Sequence, residues 1–293
     1  MATVFELVLT VFLAAVVILG IQVAVPVLYA MFTKDHKQKR KLYEDKWKKD
    51  TVYLYQMPGT VRLPSVSPFC VKVETFLRLH HINYERRYVI LARGSNGKVP
   101  FIELNGEHIS DSQIILKRLA FHFKVKEYEN EEMARFGYAL TCMADMHTYN
   151  LFLHYKVNHN PAKLFLGMIA NAIPEAAMDM IAPVIAPFVS GFIHNRLHGV
   201  IGSYSDEEYR ELTRKDLTLY FEQLGDKKYL FGDNMTTADC SVFAHLICMY
   251  ELDQHNHPTY LLKSHLFPTL TGYCERVKKE LFLGKFSMYD QAH

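Results

Sequence analysis

The motif Ser67-Pro68-Phe69-Cys70 places a hydroxyl and a thiol where an extended run gives way to an apolar helical pattern. Serine at such a position can accept a hydrogen bond from the free N–H groups of the first turn, and proline suits the first helical position. A helix N-terminus also attracts anions, because its N–H groups and its dipole point outward. We therefore predict that Ser67 stabilises a bound anion such as a thiolate. The simpler alternative is that Ser67 only caps the helix.

Cys70 lies one turn inside the same helix. Cysteine at an inner position more often packs than reacts, so Ser67 is the predicted thiol-activating group and Cys70 is the alternative, a redox thiol. The five cysteines are widely spaced and contain no C-x-x-C pair, which argues against a disulfide framework or a structural zinc site. The histidines at 80–81 and at 255 and 257 have no accompanying carboxylate or cysteine pattern, so we predict no metal site.

The elements around the motif follow a βαβ and then a ββα order. The Asn105-Gly106 pair between apolar runs predicts a tight hairpin, and Ser110-Asp111-Ser112-Gln113 has the spacing of a capping box that opens a helix. The predicted strands are Thr51–Tyr55, Tyr84–Leu91, Phe101–Leu104 and Glu107–Ile109, and the predicted helices run from Ser67 to near His81 and from Ser110 to Phe123.

Composition limits the class of protein. The chain has 293 residues, of which 49% are apolar, and a formal net charge of +2. A large core can therefore form. The near-neutral balance argues against nucleic acid as the main partner. The cysteine pattern favours reduced thiols in a cytosolic setting.

An apolar run from Leu7 to Phe32 precedes eight lysines or arginines between Lys34 and Lys49. About 20 apolar residues cross a bilayer, and basic residues favour the cytoplasmic side. We therefore predict a transmembrane anchor over residues 1–33, a basic linker over 34–50 with Trp47 at the membrane interface, and a cytoplasmic C-terminal part. A cleaved signal peptide is the alternative, although no basic residue precedes the run.

The βαβ–ββα order, with Ser67 at the first helix, Val99-Pro100 before the third strand and Asp111-Ser112 at the last helix, resembles the N-terminal domain of glutathione S-transferases. This resemblance implies a thioredoxin-like fold with a cis Pro100. It also implies glutathione as a co-substrate, Ser67 as the catalytic residue, and Val99, Pro100, Asp111 and Ser112 as glutathione-binding residues. The stretch from Gly232 to Asp239 is similar to the capping motif of that family's helical domain.

Three further features are similar to the failed-axon-connections and cadmium-responsive branch, which is related to metaxins. They are the short connection from Ser95 to Pro100, the stretch from Gly199 to Glu208, and the N-terminal apolar segment. Ser203 and Tyr204 depart from that branch, which usually has arginine and histidine there. The resemblance implies a membrane-anchored, glutathione-dependent protein that conjugates hydrophobic electrophiles or supports cadmium and stress detoxification, at a lysosomal or other endomembrane address. The alternative is a non-catalytic, metaxin-like module that binds protein partners.

The remainder is predicted to be helical. The fold class expected for the whole chain is a transmembrane helix, an α/β thioredoxin-like domain over residues 51–126, and an all-α domain over 127–293. Met133–His154 and Tyr209–Leu224 are predicted helices. The segment Pro161–Leu197 is apolar but carries four prolines, Glu175 and Asp179. It is predicted to form broken helices at the domain interface or a hydrophobic ligand wall.

Overall fold

A computed structural model describes residues 42–60, 62–89, 94–159, 190–191, 193–251 and 255–283, with isolated positions at 6, 11, 18, 22 and 187. The predicted anchor Leu7–Phe32 and most of the segment 161–197 lie outside the described residues. Within the part of the chain that is described, none of the helices has the length and apolar character needed to span a bilayer.

A four-stranded sheet forms the first half of the fold. Its order is β2-β1-β3-β4, with β1 and β2 parallel and the other two pairs antiparallel. This arrangement confirms the predicted βαβ–ββα order. Strand β2 ends three residues before the predicted Leu91. The strands are β1 (Val52–Gln56), β2 (Tyr84–Tyr88), β3 (Phe101–Leu104) and β4 (Glu107–Ser110).

Helices α1 (Pro68–Leu79) and α2 (Ser112–His122) pack on the same face of the sheet. Side chains alternate between the two faces of a strand, so Val52, Leu54 and Ile102 meet these helices. Tyr53, Tyr55 and Phe101 form a separate aromatic cluster. Residues 43–50, which fall in the predicted linker, are folded against the sheet beside that cluster. Trp47 lies over Gly106 in the hairpin turn.

The second half is helical. The predicted helix Met133–His154 is a longer helical stretch interrupted by a π-helix at Met143–Thr148. Helix α5 starts at a capping box formed by Ser205 and Glu208, and Asp239 accepts hydrogen bonds from the backbone and hydroxyl of Thr236 (both 2.9 Å), as the motif predicts. The helices are α3 (Glu131–Cys142), α4 (Tyr149–His159), α5 (Asp206–Leu224), α6 (Thr237–Glu251), α7 (His257–Lys263) and α8 (Pro268–Phe282), with a further helical segment at 193–201.

Candidate functional site

Ser67 occupies the N-cap position of α1 but does not cap the helix through its side chain. Its backbone is extended (φ −98°, ψ 119°), and its hydroxyl makes no capping hydrogen bond. The prediction of a side-chain cap is therefore wrong. The carbonyl of Ser67 instead accepts from the N–H groups of Cys70 and Val71, both at 3.0 Å. The half-buried Ser67 side chain thus lies at a helix N-terminus and does not cap the helix.

Cys70 is fully buried. Burial raises the pKa of its thiol, while hydrogen bonds from the Met57 backbone and from the Ser67 and Ser65 side chains lower it by less. A raised pKa keeps the sulfur protonated, and a protonated thiol is a poor nucleophile. This environment is typical of a packed cysteine.

The loop that precedes β3 brings a second part of the predicted site into place. The Val99–Pro100 peptide bond is cis, as the family resemblance implies. The N–H of Ser95 donates to Oγ of Ser110 at 2.8 Å, which pins the loop to β4. Gly94 is needed for this approach, because a Cβ there would collide with the Ser110 hydroxyl.

Asp111 and Ser112 form the third part of the predicted site, but their local structure differs from a capping box. Asp111 is itself the N-cap of α2 and accepts from the N–H groups of Gln113 (3.0 Å) and Ile114 (3.3 Å). Ser110 does not take that role, because it is the last residue of β4, and its hydroxyl accepts instead from the N–H of Ser95. Asp111 has φ +81°. A non-glycine residue in this region costs on the order of 1–3 kcal/mol, and such residues cluster at functional sites.

Two basic side chains that sequence reasoning missed, Lys98 and Arg196, lie close to each other, and Lys98 also lies near Asp111. Burial and then repulsion by Arg196 lower the pKa of the Lys98 amine, while the Asp111 carboxylate raises it. Among the described residues, neither Lys98 nor Arg196 forms a salt bridge with a carboxylate. The two positive charges act on each other, so this part of the structure carries a local positive potential. Lys98 had a signal in the sequence, since it directly precedes Val99-Pro100, but Arg196 had none.

An aromatic wall and a buried ionic network lie behind the N-terminus of α1. The ring of Phe69 packs against Tyr149 (4.7 Å between centroids) and His245 (5.4 Å). One turn further along α1, Nζ of the fully buried Lys72 lies 2.6 Å from the Asp145 carboxylate. The other oxygen of Asp145 lies 3.1 Å from Nε2 of His245. This network joins the sheet domain to the helical domain. It therefore fixes the aromatic rings of Tyr149 and His245 relative to Ser67.

Two of the histidines that are paired in the sequence contact other side chains. His80 contacts Glu127 at 2.8 Å, and Nδ1 of His255 contacts the hydroxyl of Tyr260 at 2.8 Å. No group of three or more histidine, cysteine, aspartate or glutamate side chains is placed to bind a metal within the residues described.

Two family models match separate stretches of the chain. The glutathione S-transferase N-terminal domain matches residues 68–162, and the glutathione S-transferase C-terminal domain matches residues 213–277. The failed axon connections protein of Drosophila melanogaster is 32% identical over 260 residues, which is 84% of this chain. The chain belongs to the glutathione S-transferase-like superfamily, in the failed-axon-connections branch. It spans 61% of the length of the Drosophila protein.

Solved structures support the two-domain fold of this superfamily. A beta-etherase from Sphingobium sp. is 17% identical, with a TM-score of 0.52 over 79% of this chain and 98% of that one. A glutathione transferase from Phanerochaete chrysosporium is 13% identical, with a TM-score of 0.51 over 78% and 97% of the two chains. At these identities the likeness concerns the fold alone. It agrees with the predicted α/β domain followed by an all-helical domain.

Proposed function

We propose that the chain binds glutathione and activates its thiol at the N-terminus of α1. The observation that carries this proposal is the hydroxyl of Ser67, which lies at a helix N-terminus and makes no capping hydrogen bond. The cis Val99–Pro100 edge and the Asp111-Ser112 turn supply the polar backbone that a peptide-like ligand needs. Glutathione carries two carboxylates, which suits the basic pair Lys98 and Arg196.

The proposed chemistry is thiol addition. The helix N-terminus and the Ser67 hydroxyl stabilise the glutathione thiolate, the thiol proton passes to solvent, and the sulfur lone pair forms a bond to an electrophilic carbon. The electron pair displaced from that carbon goes to a leaving group or to an adjacent conjugated bond. Hydrogen bonds to charged groups contribute about 1.5–3 kcal/mol, so loss of the Ser67 hydroxyl should slow conjugation by roughly 10- to 100-fold.

Calorimetric titration of the full chain with glutathione tests the binding, and rate measurements with a general electrophile test the activation. We expect Ser67→Ala to raise the pKa of bound glutathione and slow conjugation, while Cys70→Ala leaves both unchanged. Thermal melts of both variants control for folding. Ser67→Ala with full activity, or a folded Cys70→Ala with none, would reverse the roles of the two residues.

We also propose that the chain is held at a membrane through Leu7–Phe32 with its folded domains in the cytoplasm, at a lysosomal or other endomembrane address. The support is the apolar run followed by eight basic residues. In this setting, conjugation of hydrophobic electrophiles would serve cadmium or stress detoxification. Alkaline carbonate extraction and protease protection of intact vesicles test the topology. Release into the supernatant, or a fully protected domain, would contradict it.

A second candidate function is a non-catalytic, metaxin-like module that binds protein partners. The observation that favours it is the span of only 12 residues (89–100) between β2 and β3. So short a span has no room for a full-length second helix, and that helix usually helps to hold the glycyl end of glutathione. No heat on titration with millimolar glutathione would favour the module over the enzyme.

A further inference from the structure

Residues 43–50, here called the strap, cover the face of the sheet opposite α1 and α2. The aromatic side chains on that face include Tyr53, Tyr55 and Phe101. The rings of Tyr55 and Phe101 stack at 4.5 Å with an interplanar angle of 7°. The ring of Tyr43 packs against both, at 5.3 Å and 5.5 Å. The strap thus shields aromatic surface that would otherwise be exposed to water.

A buried carboxylate fastens the strap. Glu103 in β3 is 1% exposed. It accepts from the backbone N–H of Tyr43 (2.8 Å) and of Glu44 (2.9 Å), and from the hydroxyl of Tyr55 (3.1 Å). Burying a carboxylate is costly unless donors surround it. These three donors include two from the strap, so the strap and Glu103 stabilise each other.

The ends of the strap are fastened separately. Glu44 forms an ion pair with Arg87 at 3.0 Å, and Lys48 pairs with Glu85 at 3.1 Å. The Asp50 N–H donates to the side chain of Asn105 at 2.8 Å. The strap therefore touches strands β2 and β3 and the hairpin turn, and it spans the sheet.

A short chain of contacts leads from the strap to the candidate site. Phe101, which supports Tyr43, directly follows the cis Pro100 and stacks on His108 at 4.9 Å. Nε2 of His108 lies 3.0 Å from Oγ of Ser110, the group that pins the loop before β3. Asp111 follows Ser110 in the chain. One edge of the proposed site, Pro100, directly precedes Phe101, which Tyr43 of the strap contacts. The other edge, Asp111, directly follows Ser110, which is linked to Phe101 through His108.

We propose that residues 43–50 are a positioning strap for the candidate site: they cover the second face of the sheet in place of a helix and hold the edge at residues 94–100 in its binding conformation. Lifting the strap leaves the Glu103 carboxylate with fewer donors and removes the aromatic support of Phe101. The edge then opens locally without unfolding of the helical domain.

Amide hydrogen exchange of the full chain without ligand tests this directly. Tyr43→Ala removes the aromatic contact and Glu103→Gln weakens the backbone clamp. We expect each to speed exchange at residues 94–104 on the order of tenfold, with the amides of α6 unchanged. Tyr138→Ala is the matched control, since Tyr138 is an exposed tyrosine on α3, away from the strap. Trypsin cleavage after Lys46 or Lys48 reports independently that the strap has lifted.

Exchange at 94–104 that stays at the wild-type rate while the strap is cleaved would overturn the proposal. So would an equal increase in α6, because that result indicates general destabilisation. A second arm rests on the proposed function: both variants should weaken glutathione binding on the order of tenfold, and Tyr138→Ala should not. If wild-type protein binds no glutathione but the exchange result holds, the proposed function fails and the strap stands.

Discussion

Lys156 on α4 should destabilise the folded chain at neutral pH. Its side chain is buried, with 9% of its surface exposed. Its ammonium lies 4.7 Å from the ring of Phe152, and no carboxylate among the described residues forms a salt bridge with it. Burial lowers the pKa of the amine from 10.5 to about 8, and the smaller charge interaction with Cys248 acts in the opposite direction.

The size of this cost follows from the pKa. The pKa of Lys156 is lower by about 2.5 in the folded chain than its ordinary value. At 1.36 kcal/mol for each pKa unit, the folded state favours the neutral amine by about 3 kcal/mol. The cation–π contact with Phe152 returns about 0.5–2 kcal/mol. Replacing Lys156 by methionine, which has a similar length and no charge, should therefore stabilise the protein by about 1–3 kcal/mol at pH 7. For a chain of this size that corresponds to a rise in Tm of roughly 2–10 °C.

The pH dependence gives the sharper test. Below pH 8 both folded and unfolded chains carry the charged lysine, and the folded state bears the full cost. Between about pH 8 and 10.5 the unfolded chain binds more protons at this site, so wild-type stability rises with pH. The difference in unfolding free energy between Lys156→Met and wild type should shrink across this window. Because other groups titrate in both proteins alike, the difference isolates Lys156.

Urea denaturation of the two proteins at pH 7, 8.5 and 10 measures this difference. Lys227→Met, at an exposed lysine, is the control and should leave stability unchanged. A loss of more than about 1 kcal/mol in Lys156→Met, or a difference that does not depend on pH, would refute the reasoning. Such a result would mean that the ammonium is stabilised by a partner.

Three further outcomes follow from buried carboxylates. Asp145→Ala should cost about 3–5 kcal/mol in urea denaturation, because Lys72 is left buried without its carboxylate, and the double variant Lys72→Met with Asp145→Leu should recover most of it. Asp239→Ala should cost at least about 3 kcal/mol by the same measurement, since several buried donors lose their acceptor. The hydrogen bond to Asp216 raises the pKa of His147 above its ordinary 6.5. The interaction of protonated His147 with Asp216 therefore contributes its full stabilisation below pH 6.5, and this stabilisation is lost as the pH rises through the raised pKa of His147. His147→Gln should remove this pH-dependent part of the Tm.

Local patterns predicted most of the sheet domain. The β-branched and aromatic runs gave the strands, and the Asn105-Gly106 turn has the two positive φ values that a tight hairpin needs (50° and 80°). Such features depend on a few neighbouring residues, so they can be read from the chain. The same holds for the capping box at Ser205 and for the Thr236–Asp239 motif.

The candidate site could be predicted only in part, because its polar groups come from distant segments. Ser110 has the sequence of a cap, but a loop 15 residues earlier uses its hydroxyl. Gln113 has the spacing of a capping-box partner, yet its amide donates to Asp145 at 3.1 Å. Arg196 reaches the vicinity of Lys98 from a segment whose sequence only suggested broken helices. No local pattern encodes which of two available partners a hydroxyl or amide will choose.

The π-helix at Met143–Thr148 changes the rotation of α4 about its own axis relative to α3. A π turn holds one residue more than an α turn, and each residue turns a helix by about 100°. If one residue were deleted from Met143–Thr148, this stretch could form a regular α-helix. Phe152 and Lys156 would then keep their present orientation toward the core. Without that deletion, a change that merely regularised the helix would swing both side chains by about a quarter turn away from α6. The chain length within these six residues thus sets which face of α4 meets the core.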